Sequence, residues 1–216
     1  MPKPKKTILI TAGPTIEPID PIRYLSNYST GKMGLELAKA AKKRNYRVIL
    51  ISGPTHLTIP KGVRFILIKT ALDMRKELFR FFKHADCVVM AAAVSDFRPA
   101  AFSAEKIKKF SKRAFSLKLR RNPDILTSLG RKKEGRILVG YSLETARPIE
   151  NAKKKLKLKN LDIIVANRIS KRLNPFGLGA KDISIIDRKG NIQKLRGVSK
   201  AKIASYLLDT IGNYIT

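Results

Sequence analysis

Residues 26–34, Ser-Asn-Tyr-Ser-Thr-Gly-Lys-Met-Gly, form the stretch around which the chain is organised. The apolar run at 7–12 upstream predicts a buried strand, and apolar side chains at helical spacing predict a helix over 31–43. A long loop over 15–27 joins them. Hydroxyl side chains cap free N–H groups at a helix start, and glycines let a ligand approach the backbone. Because a helix N-terminus favours anions, the stretch predicts a phosphate or carboxylate site.

Two common phosphate motifs fit this stretch poorly. Gly13 and Gly31 lie much further apart than the glycines of a Gly-x-Gly-x-x-Gly turn. The strand expected at 47–52 ends in Ser-Gly-Pro and offers no carboxylate for a ribose. Lys32 is followed by Met33, whereas a P-loop needs Ser or Thr there. A nicotinamide- or flavin-binding oxidoreductase is therefore an alternative that the sequence disfavours.

Length and composition predict one cytoplasmic domain spanning 1–216. No run of eighteen apolar residues occurs, so a transmembrane helix and a membrane partner are not expected. The basic residues at 2–6 run directly into a strand, unlike a secretory signal. The single cysteine, Cys87, excludes an internal disulfide and lies in the pattern of a buried strand.

The formal net charge of +30 is typical of proteins that bind nucleic acids. The lysines and arginines are spread along the chain, however, and aromatic residues make up only 7%. Neither zinc ligands nor a known nucleic-acid-binding pattern is found in the sequence. Nucleic acid is therefore an unlikely partner and a second alternative, whereas a basic surface also suits small polyanions.

The remaining chain alternates strands and helices, which predicts an α/β fold. The sheet is expected to be doubly wound, Rossmann-like and mostly parallel, with flanking helices. Further strands are predicted at 63–68, 86–93, 137–145 and 161–167, helices at 71–83, 149–158 and 198–214, and a hairpin at about 183–195. Ligands of such sheets bind at the carboxyl ends of the strands, which places Asp96 near the phosphate site.

Residues 100–121 are basic and predict a flap. Within this segment, residues 100–116 are predicted to be mobile. Apolar and polar residues alternate from 115 to 120, which predicts a half-exposed strand. A mobile lysine above a phosphate site can offset the charge that develops during phosphoryl transfer. A short capped helix is expected after Asn122.

Six motifs then coincide in order along the chain. They are Pro-Ile-Arg-Tyr-Leu-Ser-Asn-Tyr-Ser-Thr-Gly-Lys-Met-Gly at 21–34, Ala-Ala-Ala-Val-Ser-Asp-Phe-Arg at 91–98, Glu-Lys-Ile-Lys-Lys at 105–109, Asn-Pro-Asp-Ile-Leu at 122–126, Gly-Tyr-Ser-Leu-Glu-Thr at 140–145 and Asn-Leu-Asp-Ile-Ile-Val-Ala-Asn at 160–167. Together they resemble phosphopantothenate–cysteine ligase, a coenzyme A pathway enzyme that is often fused to a flavin decarboxylase. The resemblance extends over about residues 7–210.

The resemblance implies a ligase reaction with two half-steps. CTP first activates the carboxylate of 4′-phosphopantothenate as an acyl-cytidylate and releases pyrophosphate. L-Cysteine then attacks the anhydride, and CMP leaves. The co-substrate is thus CTP with Mg²⁺ as its counterion, no protein ligand for the metal can be named, and no flavin is expected. The motif at 105–109 favours CTP over the ATP used by eukaryotic relatives.

The resemblance also implies the roles of individual residues. Lys106 corresponds to the flap lysine of cytidylate formation, Asn27 to the asparagine that holds the intermediate, and Arg23 to an arginine that reaches the neighbouring subunit's phosphopantothenate. The segment around the acyl phosphate comprises Ala92, Ala93 and Asp96. The cytosine pocket comprises Pro123, Asp124, Ile125, Leu126 and Tyr141, with the triphosphate lysines Lys155 and Lys159. Further nucleotide contacts are Gly13, Ser29, Gly31, Gly34 and Asn167.

Some expectations remain open, and some residues depart from the family pattern. A homodimer is expected, and either the hairpin at 183–195 or the strand near 115–120 could supply its interface. The flavin decarboxylase half is absent, so the chain is expected to be a separate ligase, with the decarboxylase as a separate partner, or an excised domain. Tyr141 stands where phenylalanine is common, and the segment 176–181 lacks the Ser, Asp and Asn often found there.

Overall fold

A computed structural model of the protein describes residues 5–108, 116–168 and 181–215. The strands of these segments are β1 (Thr7–Ala12), β2 (Ile16–Pro18), β3 (Tyr24–Ser26), β4 (Arg47–Ser52), β5 (Arg64–Leu67), β6 (Cys87–Met90), β7 (Phe97–Pro99), β8 (Leu119–Arg121), β9 (Ile137–Glu144), β10 (Ile163–Arg168), β11 (Lys181–Asp187) and β12 (Ile192–Val198). The helices are α1 (Lys32–Lys43), α2 (Ala71–Phe82), α3 (Ile125–Arg131), α4 (Pro148–Leu158) and α5 (Lys200–Gly212).

The main sheet has the strand order β12-β11-β10-β9-β6-β1-β4-β5 within the described residues. The six strands from β10 to β5 are parallel, and β11 and β12 add an antiparallel edge. Numbered along the chain, the parallel strands follow the order 3-2-1-4-5-6 of the Rossmann fold. The predicted fold class, a mostly parallel doubly wound sheet, is confirmed. The winding direction changes between β1 and β6.

Helices cover both faces of this sheet. Ile8 and Ile10 of β1 pack with the core under α1 and α5, whereas Leu9 packs with the core under α2, α3 and α4. Every residue of β1 is buried, because consecutive side chains of a strand point to opposite faces and both faces are covered here. Cys87 is buried in the first of these cores, as expected.

Helix α1 lies directly on β1 at the end where the predicted site is found. A Cβ atom added to Gly34 would lie 2.4 Å from the Cβ of Ala12 and 2.9 Å from the carbonyl oxygen of Thr11. No side chain fits in that gap, so glycine allows the helix start to approach the end of the strand. Gly31, the residue before α1, has a φ of 77°.

The segment 15–27 is not the continuous loop that the sequence predicted. It contains β2 and β3, which pair antiparallel, with Ile16 opposite Ser26. The two Xaa-Pro steps exclude a helix, as expected, but they permit short edge strands. Strands of three residues are too short to show an alternating pattern. The hairpin ends at Ser26 and therefore fixes the backbone position of the next residue, Asn27.

Three other elements differ from their predicted bounds. Strand β6 ends at Met90, because Ala93 instead donates its N–H to Gly13 and accepts a bond from Thr15. Where a half-exposed strand was expected near 115–120, the described residues form only β8 (Leu119–Arg121), which is exposed throughout, pairs with β7 and closes the base of the flap. The flap residues 109–115 lie outside the described residues. The hairpin expected at 183–195 is longer and forms an edge of the main sheet, and its role in a dimer stays a prediction.

The opposite end of the sheet is joined by a buried carboxylate. Asp162, whose side chain is fully buried, accepts bonds from Lys133 Nζ at 2.6 Å and Arg188 Nη1 at 2.9 Å. Its second oxygen accepts a bond from the backbone N–H of Leu138 at 2.8 Å. The Asp162 carboxylate therefore links β9, β10 and the end of β11.

Helices long and apolar enough to cross a membrane are not found in the described segments.

Candidate functional site

Two adjoining cavities open at the carboxyl ends of the parallel strands. The first has a volume of about 620 Å³ and lies between the starts of α1 and α5. The second has a volume of about 470 Å³ and lies against the start of α3. Their walls share Ala92, Val94, Asp96, Tyr141 and Lys155. The cavities lie beside the change in winding direction, where ligands of open α/β sheets bind.

Most of the residues predicted from the family resemblance meet in these cavities. Those lining the first are Asn27, Ser29, Gly31, Ala92, Ala93, Asp96, Tyr141, Lys155 and Asn167. Those lining the second are Ala92, Asp96, Pro123, Asp124, Ile125, Leu126, Tyr141, Lys155 and Lys159. Residues from distant parts of the sequence thus share one surface, although their individual roles stay predictions.

Four predicted residues are not among the described residues that line either cavity: Gly13, Arg23, Gly34 and Lys106. Gly13 and Gly34 lie behind the first cavity, where they allow the loop and helix α1 to pack closely. Lys106 is exposed. The predicted ligand contacts of these four residues therefore stay predictions.

The start of α1 presents backbone N–H groups to the first cavity. Gly31 is its N-cap and supplies no side-chain bond, so the helix carries the unsatisfied amides typical of a helix start. Ser29 Oγ accepts a bond from Gly31 at 3.3 Å, and Thr30 Oγ1 accepts one from Lys32 at 3.4 Å. The hydroxyls do accept from local N–H groups as predicted, but these long bonds leave the helix end able to bind an anion.

Asn27 is anchored to the loop that follows β6. Its Nδ2 donates to the carbonyl oxygen of Val94 at 3.1 Å. Residues of the same loop are held from two other sides, because Ser95 donates its N–H to Thr15 Oγ1 and accepts a bond from Asn122 Nδ2. The amide of Asn27 is therefore oriented within the wall of the first cavity.

Lys155 joins the two cavities. Its Nζ donates to the carbonyl oxygen of Tyr141 at 3.0 Å. Burial lowers the pKa of Lys155, and the nearby Lys159 lowers it further, against the opposing influence of Glu144, Asp124 and Asp96. An amine under such conditions gains more from a bound anion than an exposed lysine does.

The second cavity is built around the N-terminus of α3. Asp124 caps this helix by accepting a bond from the N–H of Thr127 at 2.9 Å, and Lys159 Nζ lies 2.7 Å from its other oxygen. Burial raises the pKa of the Asp124 carboxyl, but the bonds from Lys159 and Thr127 outweigh burial, and the pKa lies below its usual value. The carboxylate is thus ionised and fixes Lys159 at the rim.

The ring, the backbone carbonyl and the hydroxyl of Tyr141 lie in different environments. The ring packs against the core under α1 and α5, and the carbonyl oxygen binds Lys155. The hydroxyl is buried and has no hydrogen-bond partner among the described residues. Burial raises the pKa of the phenol, so it stays a neutral donor. The substitution from the common phenylalanine therefore adds an unsatisfied donor beside the cavities.

A clasp connects the loop between β2 and β3 with the base of the flap. The buried Asp20 accepts bonds from the backbone N–H groups of Ile22, Arg23 and Ile107 and from the Arg23 guanidinium. Arg23 Nη2 also donates to the carbonyl oxygen of Ile107 at 2.8 Å. The guanidinium of Arg23 holds the pKa of Asp20 well below its usual range. In this chain Arg23 therefore binds within its own subunit, next to Lys106.

Sequence reasoning missed the clasp and three lysines of the first cavity, which are Lys32, Lys181 and Lys200. A signal for Asp20 was present, because Asp followed by Pro often accepts bonds from the N–H groups two and three residues on. The signal for Lys200 was a cation in the first turn of a helix, where anions are favoured.

A protein-built metal centre is not evident: the described segments hold no group of three His, Cys, Asp or Glu residues around a common point. Asp96 is the carboxylate that lines both cavities, whereas Asp124 is bound to Lys159. These residues fit a cation that arrives with a nucleotide's phosphates and gains a single carboxylate from the protein.

The sequence matches the family described as "DNA/pantothenate metabolism flavoprotein C-terminal domain" over residues 4–214. The chain belongs to this family. Among curated relatives, the coenzyme A biosynthesis bifunctional protein CoaBC of Bacillus subtilis is 43% identical over 207 residues, which are 95% of this chain and 51% of the relative. The protein of the same name from Borreliella burgdorferi is 42% identical and is covered over 94% and 51% of the two chains. The chain thus spans about half the length of these relatives.

Solved structures share the fold of this family domain. The C-terminal domain of a coenzyme A biosynthesis bifunctional protein CoaBC aligns with a TM-score of 0.82 at 35% identity, over 95% of this chain and 93% of the other. A Cab2 mutant solved in complex with phosphopantothenate-cysteine aligns with a TM-score of 0.77 at 19% identity, over 97% and 86%. At 19% identity, the comparison with the Cab2 mutant supports a shared fold and nothing further.

Proposed function

We propose that this chain is a ligase that joins 4′-phosphopantothenate to L-cysteine through an acyl-cytidylate, in coenzyme A biosynthesis. The observation that carries the proposal is the pair of adjoining cavities, with Asn27 and the start of α1 in one and residues 123–126 in the other. The relatives named above support the same pathway. An acyl-cytidylate joins an acyl group to a nucleotide, and two adjoining cavities can hold these two parts.

In the first half-reaction, a carboxylate oxygen of 4′-phosphopantothenate attacks the α-phosphorus of CTP, and the bond to pyrophosphate breaks. Several anions must approach one another, so the rate depends on fixed positive charge and on positioning. Lys155 at the junction of the cavities and the amides of α1 provide such charge. In this proposal Lys106 adds a further positive charge from the flap.

In the second half-reaction, the amine of cysteine attacks the activated carbonyl carbon, CMP leaves, and the amine loses a proton. Asn27 holds the intermediate through its amide, which the bond to Val94 keeps oriented. Residues Ala92, Ala93 and Asp96 form the floor beneath the acyl phosphate in this proposal. Mg²⁺ enters as the nucleotide's counterion, and Asp96 is the carboxylate that could contact it.

CTP is the proposed nucleotide, and the second cavity is its proposed base site. The cavity is lined by the N-terminal residues of α3 and by Lys159, which Asp124 fixes. Backbone groups at 123–126 can read the edge of a pyrimidine. A homodimer and a flavin decarboxylase partner belong to the same proposal. In the dimer, Arg23 would have to release Asp20 and Ile107 before its guanidinium could reach the neighbouring subunit's site.

The oxidoreductase and nucleic-acid alternatives have no comparable support. Ser52, at the end of β4 where a ribose carboxylate would stand, is fully buried and donates its hydroxyl hydrogen to Gly53. A purified protein that forms phosphopantothenoylcysteine from CTP, 4′-phosphopantothenate and cysteine would support the ligase. Absence of pyrophosphate release with both CTP and ATP would contradict it.

Asn27→Asp is expected to separate the two half-reactions. The acyl-cytidylate should still form and pyrophosphate should appear, but turnover with cysteine should fall by about 100-fold or more, because a carboxylate replaces the neutral amide beside an anionic intermediate. Rapid quench with radiolabelled CTP measures both species. A matched control is Asn213→Asp, an exposed residue that follows the C-terminal end of α5 and lies outside both cavities. Equal loss of both half-reactions would contradict the assigned role of Asn27.

A further inference from the structure

One end of the first cavity carries positive charge that the proposed reaction scheme has not used. Lys32 stands at the start of α1, Lys181 at the start of β11 and Lys200 at the start of α5, and all three line the cavity. Lys181 is buried, and the other two are partly buried. Residues from three elements far apart in sequence thus bring like charges together at one place.

The lysines of this end are close enough to affect one another. Burial lowers the pKa of Lys200, and the positive charges of Lys181 and Lys32 lower it further. The carboxylate facing this group from α1 is Glu36, whose oxygen lies 3.0 Å from Lys32 Nζ and 3.2 Å from Lys39 Nζ. Because Glu36 is shared by Lys32 and Lys39, it offsets only part of the positive charge that Lys32 and Lys200 bring to this end of the cavity.

The backbone adds to this positive potential. Helices α1 and α5 both begin at this end of the cavity, with Gly31 and Ser199 as their N-caps. Ser199 Oγ accepts a bond from the N–H of Lys202 at 3.2 Å, which satisfies one amide of α5. A lysine in the first turn of a helix opposes the helix dipole. Lys32 and Lys200 both stand at such positions, so an anion bound between them would offset the unfavourable interaction of each charge with its helix dipole.

We propose that this end of the cavity is a phosphate subsite of the ligase, in which Lys200 and Lys32 bind phosphate oxygens and Lys181 supplies charge behind them. The inference rests on the proposed function and adds residues to it. Lys155 lines the same cavity from α4, which packs on the opposite face of the sheet from α1 and α5, so a ligand with two anionic groups would suit this cavity. Two parts of the substrates fit this chemistry, namely the phosphomonoester of phosphopantothenate and the terminal phosphates of CTP.

Lys200→Met tests the subsite, with Lys200→Arg as the conservative variant and Lys153→Met as a control on the exposed side of α4. Losing one charge-assisted contact should raise the affected KM by roughly 10- to 100-fold with little change in kcat. Arginine should restore most of the affinity, and the control should match the wild type. Equal melting temperatures establish that all variants fold, and Lys32→Met provides a second test if they do not.

The two sources of phosphate are distinguished by whether the KM for 4′-phosphopantothenate or the KM for CTP changes. A higher KM for 4′-phosphopantothenate alone, with reduced preference over unphosphorylated pantothenate, assigns the subsite to the phosphomonoester. A higher KM for CTP, with weaker inhibition by inorganic pyrophosphate, assigns it to the terminal phosphates. If the wild type is active and neither constant changes, the subsite is wrong while the ligase stands.

Direct binding keeps the two proposals distinguishable. Calorimetric titration with inorganic pyrophosphate and with 4′-phosphopantothenate requires no turnover and compares the wild type with Lys200→Met. Weaker binding to the variant supports the subsite even if the wild type lacks ligase activity, an outcome that would overturn only the proposed function. Equal binding of both probes to wild type and variant overturns the subsite.

Discussion

Lys106→Gln is expected to lower the rate of pyrophosphate release from CTP and 4′-phosphopantothenate by about 100- to 1,000-fold, the loss typical of removing one group that stabilises a developing charge. Glutamine keeps the length and polarity of the side chain but removes its charge. Pyrophosphate is measured without cysteine, so that only the first half-reaction contributes. Lys108→Gln, two residues on in the same basic run, is the matched control and should retain nearly full activity.

The size of this loss depends on where the amine acts. Lys106 is exposed and is not among the described residues that line the cavities, so a large effect requires the flap to bring it over the phosphates during turnover. A loss below about 3-fold would show that charge neutralisation comes from Lys155 and the helix starts instead. Equal losses in Lys106→Gln and Lys108→Gln would indicate a general effect of net charge, against the assigned role.

Asp162→Ala is expected to cause the largest loss of stability, about 3–5 kcal/mol in the free energy of unfolding. The substitution leaves Lys133 as a largely buried charge without its carboxylate and removes the acceptor of the Leu138 N–H. For a chain of this length, such a loss should lower the melting temperature by on the order of 10 °C. Urea and thermal unfolding, followed by circular dichroism, measure it.

Asp209→Ala is the comparison for Asp162. Asp209 also pairs with an arginine, Arg44, at 2.5 Å, but its side chain is 60% exposed. Solvent screens this pair, so its removal should cost less than about 1 kcal/mol. Similar losses at both positions would contradict the argument that burial sets the difference. Asp162 lies at the end of the sheet opposite the cavities, so ligand binding by the folded variant should be unchanged.

The sheet could be predicted from sequence because its central strands, such as β1 and β6, are buried on both faces. Continuous apolar runs such as 7–12 and 47–52, alternating with helical periodicity, leave few topologies for an α/β chain. Ligands of such sheets gather at the strand ends, so Asp96 could be assigned to the region of the predicted phosphate site. The family resemblance supplied individual roles that periodicity alone cannot give.

The β2–β3 pairing, the Asp20 clasp and the lysines of the first cavity could not be predicted, because they depend on contacts between residues far apart in sequence. Strands β2 and β3 have three residues each, and their pairing is visible only from the backbone bonds. Asp20 meets Ile107 across 87 positions of sequence, and Lys200 lines the same cavity as Lys32 because α5 packs beside α1. The sequence carries local signals at Asp20 and Lys200, but it does not show which distant residues they approach.

The clasp at Asp20 gives the flap a built-in reporter. The backbone N–H of Ile107 donates to the buried Asp20 carboxylate at 3.1 Å, and this amide lies one residue from Lys106. Deuterium can replace its hydrogen only when the bond opens, so the exchange rate of this one amide measures how often the base of the flap detaches. Protection of that amide in the presence and absence of substrates would follow the lysine's approach without any catalytic turnover.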